Sequence, residues 1–556
     1  MGRTASSWRR FEERLGRDCK LSRTCAAVVA DTLYTSGVRY AFGHPGGEVV
    51  DLIEALEVRG IKFVLTGHES AAAFMAATAG RLTGLPGVCL ATLGPGACNL
   101  VLGVASAYLD RDPLLAISAR TVNRLAEISD KQNLQLNDLF APISKASLKL
   151  DGRATQAAVE QALRIAKAPP RGPVYFSIPN DVAISMDCGE VGHFSEEARE
   201  QPGDQENLQE ICTALNNSKY PIAVIGISLD ARKDSSAVRA FLSETAIPYV
   251  TLPQAKGVAD EFGPSYLGTV ASAASDVVLV EQLVRSDCLL GIGFDPVESG
   301  QEWHYNASHY NIANWSIARG PFQPRAECIG DVSHLLGRVS EHCTTHPDWS
   351  EGELTEIRSR VLQGMVPKSS MGPGGMSPLS VMNVLNDLLP RETVVATDVG
   401  AHKMLISQTW RASMPNGFLV TNGLSAMGYG LPSAICASLL NPDRPVAGVF
   451  GDGGFGMMVQ ELETAKRLKV NPLLIVLCDR SLAVIKIAQD MRQIPHRGVD
   501  FEPVDWAVVA AGFGVKGETA GDPAAVSDVV TEWLSAPKLT VLAVEIDPSL
   551  YAGLTY

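Results

Sequence analysis

Residues 446–479 read VAGVFGDGGFGMMVQELETAKRLKVNPLLIVLCD. An apolar run from Val446 to Phe450 has strand character and is followed by Gly451-Asp452-Gly453-Gly454-Phe455-Gly456; a helix-period stretch comes next, and a second apolar run ends at Asp479. Strand, turn, helix and strand in that order make a βαβ unit, which requires parallel strands. The glycine spacing satisfies the G-x-G-x-x-G pattern, in which glycines permit a tight turn and let a diphosphate approach backbone N–H groups at a helix N-terminus. Asp479 stands where a dehydrogenase keeps a ribose-binding acid, so this segment alone leaves a nicotinamide dehydrogenase open. Asp452 argues otherwise, because a carboxylate in an anion pocket repels a diphosphate unless a divalent cation lies between them. Asp452 and Asp479 both follow strands, and open α/β sheets bind ligands beyond the carboxyl ends of their strands. Octahedral magnesium held by these two carboxylates is completed by phosphate oxygens, waters or a main-chain carbonyl such as that of Ser481. Read in isolation, Asp452 is also a turn residue and Asp479 a helix cap.

The rest of the chain fits a large globular protein better than a nucleic-acid or membrane protein. Its 556 residues allow three or four domains, and 46% apolar residues suffice for several cores. A net charge of -14 offers no basic stripe for nucleic acid or an anionic bilayer. Eleven cysteines without a C-x-x-C pair suggest neither a disulfide framework nor a zinc site, so a reducing cytoplasm is expected. No apolar run reaches the ~18 residues of a membrane span, and the N-terminus lacks a secretory apolar region. Residues 1–20 mix Arg with Glu and Asp and read as an arm, although Met1-Gly2 with Ser6 formally matches a myristoylation pattern.

From Leu21 short apolar strands alternate with helix-period runs: VRYAFG, a helix from Glu48, KFVLTG, a helix from Glu69 to Arg81, GVCLAT and a helix from Asn99. This βαβ series spans 21–190 and ends at the charged, Gly/Pro-containing FSEEAREQPGDQEN. A second α/β unit, 205–343, carries PIAVIGISL, IPYVTL and DCLLGIGF. The stretch 344–377 is a helix-like segment followed by the linker composition MVPKSSMGPGGMSP. A third unit, 378–556, repeats the pattern with TVVATDVG, a helical region around Met427 to Leu440, and the strands flanking Asp452. The expected fold is therefore three consecutive α/β domains, each with a mainly parallel sheet flanked by helices.

Three further motifs fall at strand-to-helix junctions of the first unit: Phe42-Gly43-His44-Pro45-Gly46-Gly47, Gly67-His68-Glu69, and Thr92-Leu93-Gly94-Pro95-Gly96-Ala97-Cys98-Asn99. Together with Gly451-Asp452-Gly453 these resemble the thiamine-diphosphate-dependent enzymes of the acetolactate synthase and pyruvate decarboxylase superfamily, over essentially the whole chain from Leu21. The resemblance implies that Asp452, Asp479 and Ser481 hold Mg2+. It assigns Gly46, Gly47, Asn99, Gly451, Gly453 and Gly454 to the cofactor, and Glu69 to hydrogen bonding with its pyrimidine nitrogen, which activates it. Met427 matches the apolar residue wedged between the cofactor's two rings, His402 a position near the diphosphate, and Gln132 a glutamine on the substrate side. Outside that context Glu69 is an acid in the first turn of a helix, Met427 a core methionine, His402 a helix-start polar residue and Gln132 a polar loop residue.

Most relatives carry Asn at the position of Asp479, whereas flavin-independent catabolic acetolactate synthases carry a similar Asp. They also resemble this chain at Gly293-Phe294-Asp295-Pro296-Val297-Glu298 and from Val499 to Asp505. The flavin-binding branch has an Arg-containing stretch near the position of Asp295; its absence here predicts no FAD. Simple decarboxylases protonate their carbanion-like intermediate with histidines, one of them at the position of Thr92 or in a nearby pair. This chain has neither, which favours attack on a second carbonyl. Lys131 and Leu93 differ from the residues usual in acetolactate synthases and leave the substrate pair open.

The expected activity is decarboxylation of a 2-oxo acid, pyruvate first, with carboligation to a second oxo compound. Alternatives are a related lyase such as a sulfoacetaldehyde acetyltransferase or an oxo-acid decarboxylase and, from another class, a non-catalytic scaffold of the same fold. Because Glu69 and Asp452 lie in different domains, the resemblance implies a site shared between subunits of a homodimer or homotetramer.

Overall fold

The computed structural model describes residues 23–551 apart from 126, 188–203, 272–273, 300–307, 319–322 and 368. The N-terminal arm and most of the first interdomain connection lie outside the described residues.

The first sheet comprises β1 (Tyr40–His44), β2 (Lys62–Leu65), β3 (Gly87–Ala91), β4 (Leu114–Arg120), β5 (Ala146–Lys149) and β6 (Pro173–Pro179), in the order β2-β1-β3-β4-β6-β5. The central sheet holds β7 (Pro221–Ile225), β8 (Tyr249–Thr251), β9 (Tyr266–Thr269), β10 (Cys288–Ile292), β11 (His309–Ala313) and β12 (Ala326–Ile329), ordered β12-β11-β10-β7-β8-β9. After a short antiparallel hairpin of β13 (Met371–Gly372) and β14 (Gly375–Met376) come β15 (Val394–Thr397), β16 (Phe418–Leu419), β17 (Val446–Gly451), β18 (Leu473–Cys478), β19 (Lys516–Ala520) and β20 (Thr540–Glu545). These last six are ordered β16-β15-β17-β18-β20-β19. Every strand pair in the three large sheets is parallel, and helices cover both faces of each, so central strands such as β18 are apolar throughout rather than alternating.

The first and third sheets have the same strand order when each is numbered from its own start. The central sheet has the reversed order typical of dinucleotide-binding domains, so it, and not the domain carrying Gly451–Gly456, has that topology.

Two of these domains share a core. The alanine-rich helix Glu69–Thr83 lies along the helix Gly430–Leu440. Phe74 meets the Tyr429 ring edge-on at 5.7 Å, Thr78 Oγ1 donates to Ser433 Oγ at 2.8 Å, and Cys436 Sγ lies 3.1 Å from the Met75 carbonyl. Helix Pro95–Leu109 approaches as closely on the other side, since a Cβ on Gly103 would sit 2.4 Å from that of Ala73.

All three domains meet at Asp110. Its buried carboxylate accepts from Ser106 Oγ, Thr421 Oγ1 and the backbone N–H groups of Asn422 and Gly423, at 2.6–3.1 Å. Asn422 Nδ2 in turn donates to the Glu298 carbonyl of the central domain at 3.0 Å. Within 344–377, residues Glu351–Gln363 form a helix opened by a Ser350/Glu353 capping box. Its Leu354, Ile357 and Val361 enter the central domain's core, so this part of the connection is packed structure.

Local boundaries shift for identifiable reasons. The helix expected from Asn99 starts at Pro95, where proline's fixed φ suits the first helical position. The helix expected around Met427 starts at Gly430, because Ser425 and Gly428 adopt positive φ and hold Met427 in the loop before it.

Candidate active site

Beyond the carboxyl ends of β15, β17 and β18 a cavity of about 470 Å³ opens against the central domain. It brings together His402, Met427, Gly451, Asp452, Gly453, Gly454, Asp479 and Ser481. The location follows from topology: the strand order reverses between β15 and β17, and connections leaving those strands in opposite directions leave a crevice.

Asp452 opens the helix Asp452–Met458. Its Oδ1 accepts from Gly453 N–H and its Oδ2 from Arg480 N–H, both at 2.8 Å, tying the turn after β17 to the loop after β18. Asp479 accepts from Ser481 N–H at 2.9 Å. Burial raises both carboxyls above the usual range, and their mutual repulsion helps bring Asp479 to about 7. Neither forms an ion pair with a described cationic side chain. Two buried acids that repel one another are stabilised by a shared divalent cation, so the donor set fits a hard cation.

Asp398, at the end of β15, is a buried acid that the sequence reading passed over. Gly428 N–H lies 2.9 Å from both its oxygens and Val399 N–H 2.7 Å from Oδ1, which fastens the Met427 loop to the sheet. A Cβ on Gly454 would stand 2.6 Å from Asp398 Oδ2, so only glycine lets the Gly453-Gly454 turn close over this strand end.

His402 lies on the helix Ala401–Thr409 beside Gly451, whose Cβ would be 3.3 Å from the imidazole. Burial lowers its pKa to about 3, so the ring is neutral, and Nε2 is buried without a hydrogen-bond partner. A buried polar atom of this kind in a cavity wall suits a polar ligand.

A second cluster forms in the first domain. Glu69 begins its helix, is 8% exposed, and accepts through Oε2 from Asn99 Nδ2 at 2.9 Å. Gly96 keeps space beside Oε1, where a Cβ would come within 3.2 Å, and Gly46 backs onto Thr92, where a Cβ would come within 2.5 Å. Thr92 Oγ1 donates to Glu48 Oε2 at 2.6 Å. A Cβ on Gly94 would touch the side chain of Gln132, which has a φ of 56°, whereas one on Gly47 would meet open space. Glu69, Asn99, Gly46 and Gln132 are therefore neighbours, but none of them lines the cavity at Asp452.

Residues 23–140 match the thiamine pyrophosphate enzyme N-terminal TPP binding domain, 208–338 the central domain and 398–544 the C-terminal TPP binding domain. The acetolactate synthase of Bacillus subtilis (strain 168) is 30% identical over 535 residues, covering 94% of this chain and 93% of that protein. The chain belongs to the thiamine pyrophosphate enzymes. The catabolic acetolactate synthase of Raoultella terrigena is 26% identical across 94% of this chain and 95% of its own length. The acetolactate synthase isozyme 2 large subunit of Escherichia coli (strain K12) is 28% identical across 89% and 90%. The chain is thus a thiamine-diphosphate-dependent enzyme of the acetolactate synthase type, a decarboxylating carboligase. A dehydrogenase reading of Gly451–Gly456 gives way to this assignment.

Lys403 and Glu298 also line the cavity, and sequence reasoning missed both. Lys403 directly follows His402 on one helix and was findable by its position after a strand end. Glu298 ends the Gly293–Glu298 stretch of the central domain, which stood out as a motif but gave no sign that its acid reaches this cavity.

Proposed function

We propose that the enzyme decarboxylates pyruvate and joins the remaining two-carbon unit to a second 2-oxo acid, giving an acetolactate-type product. The observation that carries this reading is the cavity that unites Asp452, Asp479 and Ser481 with His402 and Met427. In it the two aspartates and Ser481 hold Mg2+, the turn of Gly451, Gly453 and Gly454 takes the diphosphate with His402 beside it, and Met427 supports the rings. Bound thiamine diphosphate supplies a nucleophilic carbon and an electron sink for loss of CO2. Glu69, held by Asn99, keeps a proton at the pyrimidine nitrogen, and the lack of a histidine at Thr92 leaves no imidazole there to protonate the two-carbon unit.

Glu69 and the cavity belong to separate clusters of one chain, which supports a homodimer or larger assembly pairing the first domain of one subunit with the third of another. We read the enzyme as flavin-free. At the central domain's strand-order reversal, Glu298 fills the crevice, taking Ile227 N–H at 3.0 Å and Gln254 N–H at 3.2 Å. Asp295 there holds Arg111 and the Trp315 indole, each at 3.0 Å. Backbone donors that would meet a dinucleotide are occupied by the protein's own acid. No helix among the described residues is long and apolar enough to cross a membrane. The nine described cysteines are free, in keeping with the reducing cytoplasm we propose.

Incubation of the purified protein with pyruvate, thiamine diphosphate and Mg2+, with products read by mass spectrometry, tests this. Acetolactate and CO2 in equal amounts are expected. A product formed only with sulfoacetaldehyde or another oxo acid would move the assignment to a related lyase.

A further inference from the structure

The cavity has a polar feature that the cofactor contacts proposed above do not use. Lys403 is 7% exposed, lines the cavity, and donates through Nζ to Asn422 Oδ1 at 2.9 Å and to Ser425 Oγ at 3.2 Å. An ammonium has three donors, and both of these acceptors are uncharged. A cation this buried is costly without a counter-charge. Among the described residues Lys403 takes part in no ion pair, and the acids around it serve other donors. Asp110 holds Ser106, Thr421 and two backbone N–H groups; Asp398 holds Val399 and Gly428; Glu298 holds Ile227 and Gln254. Burial pushes Glu298 up to about 8 and brings Lys403 down to about 8, in spite of the pull of Asp110, Asp398 and Glu298 on the ammonium, none of which is hydrogen-bonded to it. The remaining lining residues contribute no second charged cation, because His402 is neutral.

We infer that Lys403, steadied by Asn422 and Ser425, anchors the carboxylate of the acceptor 2-oxo acid. The inference rests on the carboligation proposed above. Position supports it: Nζ is held by Asn422 and by Ser425, two residues from Met427, so the ammonium lies at the loop that carries Met427 into the cavity.

Chemistry selects acceptor over donor. The donor's carboxylate leaves as CO2, and a cation holding it would stabilise the ground state against that loss. The acceptor's carboxylate survives the reaction. Its carbonyl carbon forms the new C–C bond to the donor's carbonyl carbon, its carbonyl oxygen takes up one proton to become a hydroxyl, and its carboxylate stays unchanged. Two oxo-acid anions and one proton thus give one product anion and CO2, and a fixed cation can hold the acceptor from binding to product.

The test is competition between an acidic and a neutral acceptor, with pyruvate as donor and thiamine diphosphate and Mg2+ present. With 2-oxobutyrate against propanal, Lys403→Gln is expected to lower the ratio of acid-derived to aldehyde-derived product at least tenfold, and Lys403→Arg to restore most of it. A merely structural role for Lys403 would reduce both products together, and an unchanged ratio overturns the anchor. Lys403→Met is the second neutral variant, held to the same ratio should the Gln protein fail to fold. Calorimetric titration of oxamate into the cofactor-free protein gives an independent readout: affinity should fall about tenfold in the neutral variants, and equal affinity overturns the proposal. A wild-type protein that makes neither product overturns the carboligase reading and the anchor with it. A wild type that makes both, with a ratio insensitive to Lys403, overturns the anchor alone.

Discussion

Glu69 and His402 show how position takes an ordinary polar side chain out of its usual setting. Glu69 is the first residue of its helix, where an acid normally complements the helix dipole, yet it is buried and fixed by Asn99. Glu69→Gln keeps the shape and an acceptor for Asn99 but removes the ionisable group. The expected result is loss of CO2 release by a factor of about 100 or more, with unchanged circular dichroism and cofactor binding. His402 makes a prediction about pH. Its folded pKa of about 3 lies below the ordinary 6.5, so the unfolded chain binds a proton that the folded chain refuses. Its contribution to stability is whole above pH 6.5 and is lost as pH falls toward 3. Between pH 6.5 and 5 the loss is about 2 kcal/mol. Urea titrations of the wild type and of His402→Gln at these two pH values should differ by that amount, the variant being the less sensitive. Both residues stood out in the sequence by their motifs, but the burial that gives them their properties came from neighbours distant along the chain.

At the scale of elements, the loop from Val420 to Gly428 sets the site. It carries Met427, Asn422 and Ser425, and it is held from one side by Asp110 and from the other by Asp398. Asp110→Ala leaves the N–H groups of Asn422 and Gly423 without their acceptor. An unfolding free energy lower by about 2–4 kcal/mol is expected, measured by denaturant titration, with weaker thiamine diphosphate binding as the loop loosens. This dependence was not legible in the sequence. Asp110 lies 311 residues before Thr421 in the chain, and nothing near either position signals the contact. The βαβ rhythm was legible, because buried parallel strands must be apolar runs separated by helices, and β17 and β18 stand out for that reason. Helix starts were less so. The Met427 segment reads as helix by composition, but positive φ at Ser425 and Gly428 keeps it a loop.

For the whole molecule, the two clusters within one chain bear on assembly. If each complete site joins Glu69 of one subunit to Asp452 of another, the protein runs in light scattering at no less than twice its 59.2 kDa. Co-expression of Glu69→Gln with Asp452→Asn then restores activity that neither variant has alone. Random pairing yields mixed dimers with one intact site, about a quarter of wild-type turnover. A mixture as inactive as its components would mean that each site is built within one subunit.

The amino-acid sequence by itself determined the three α/β units, the glycine turn with its discordant Asp452, and the family, because strand runs, glycine turns and motif residues are local features readable at short range. Only the tertiary structure decided the common strand order of the first and third sheets, the dinucleotide-type order of the central one, the Asp110 junction, and the unpaired Lys403 in the cavity wall. These depend on which strand ends and loops from distant parts of the chain meet, and on which charges are left without a partner once they do.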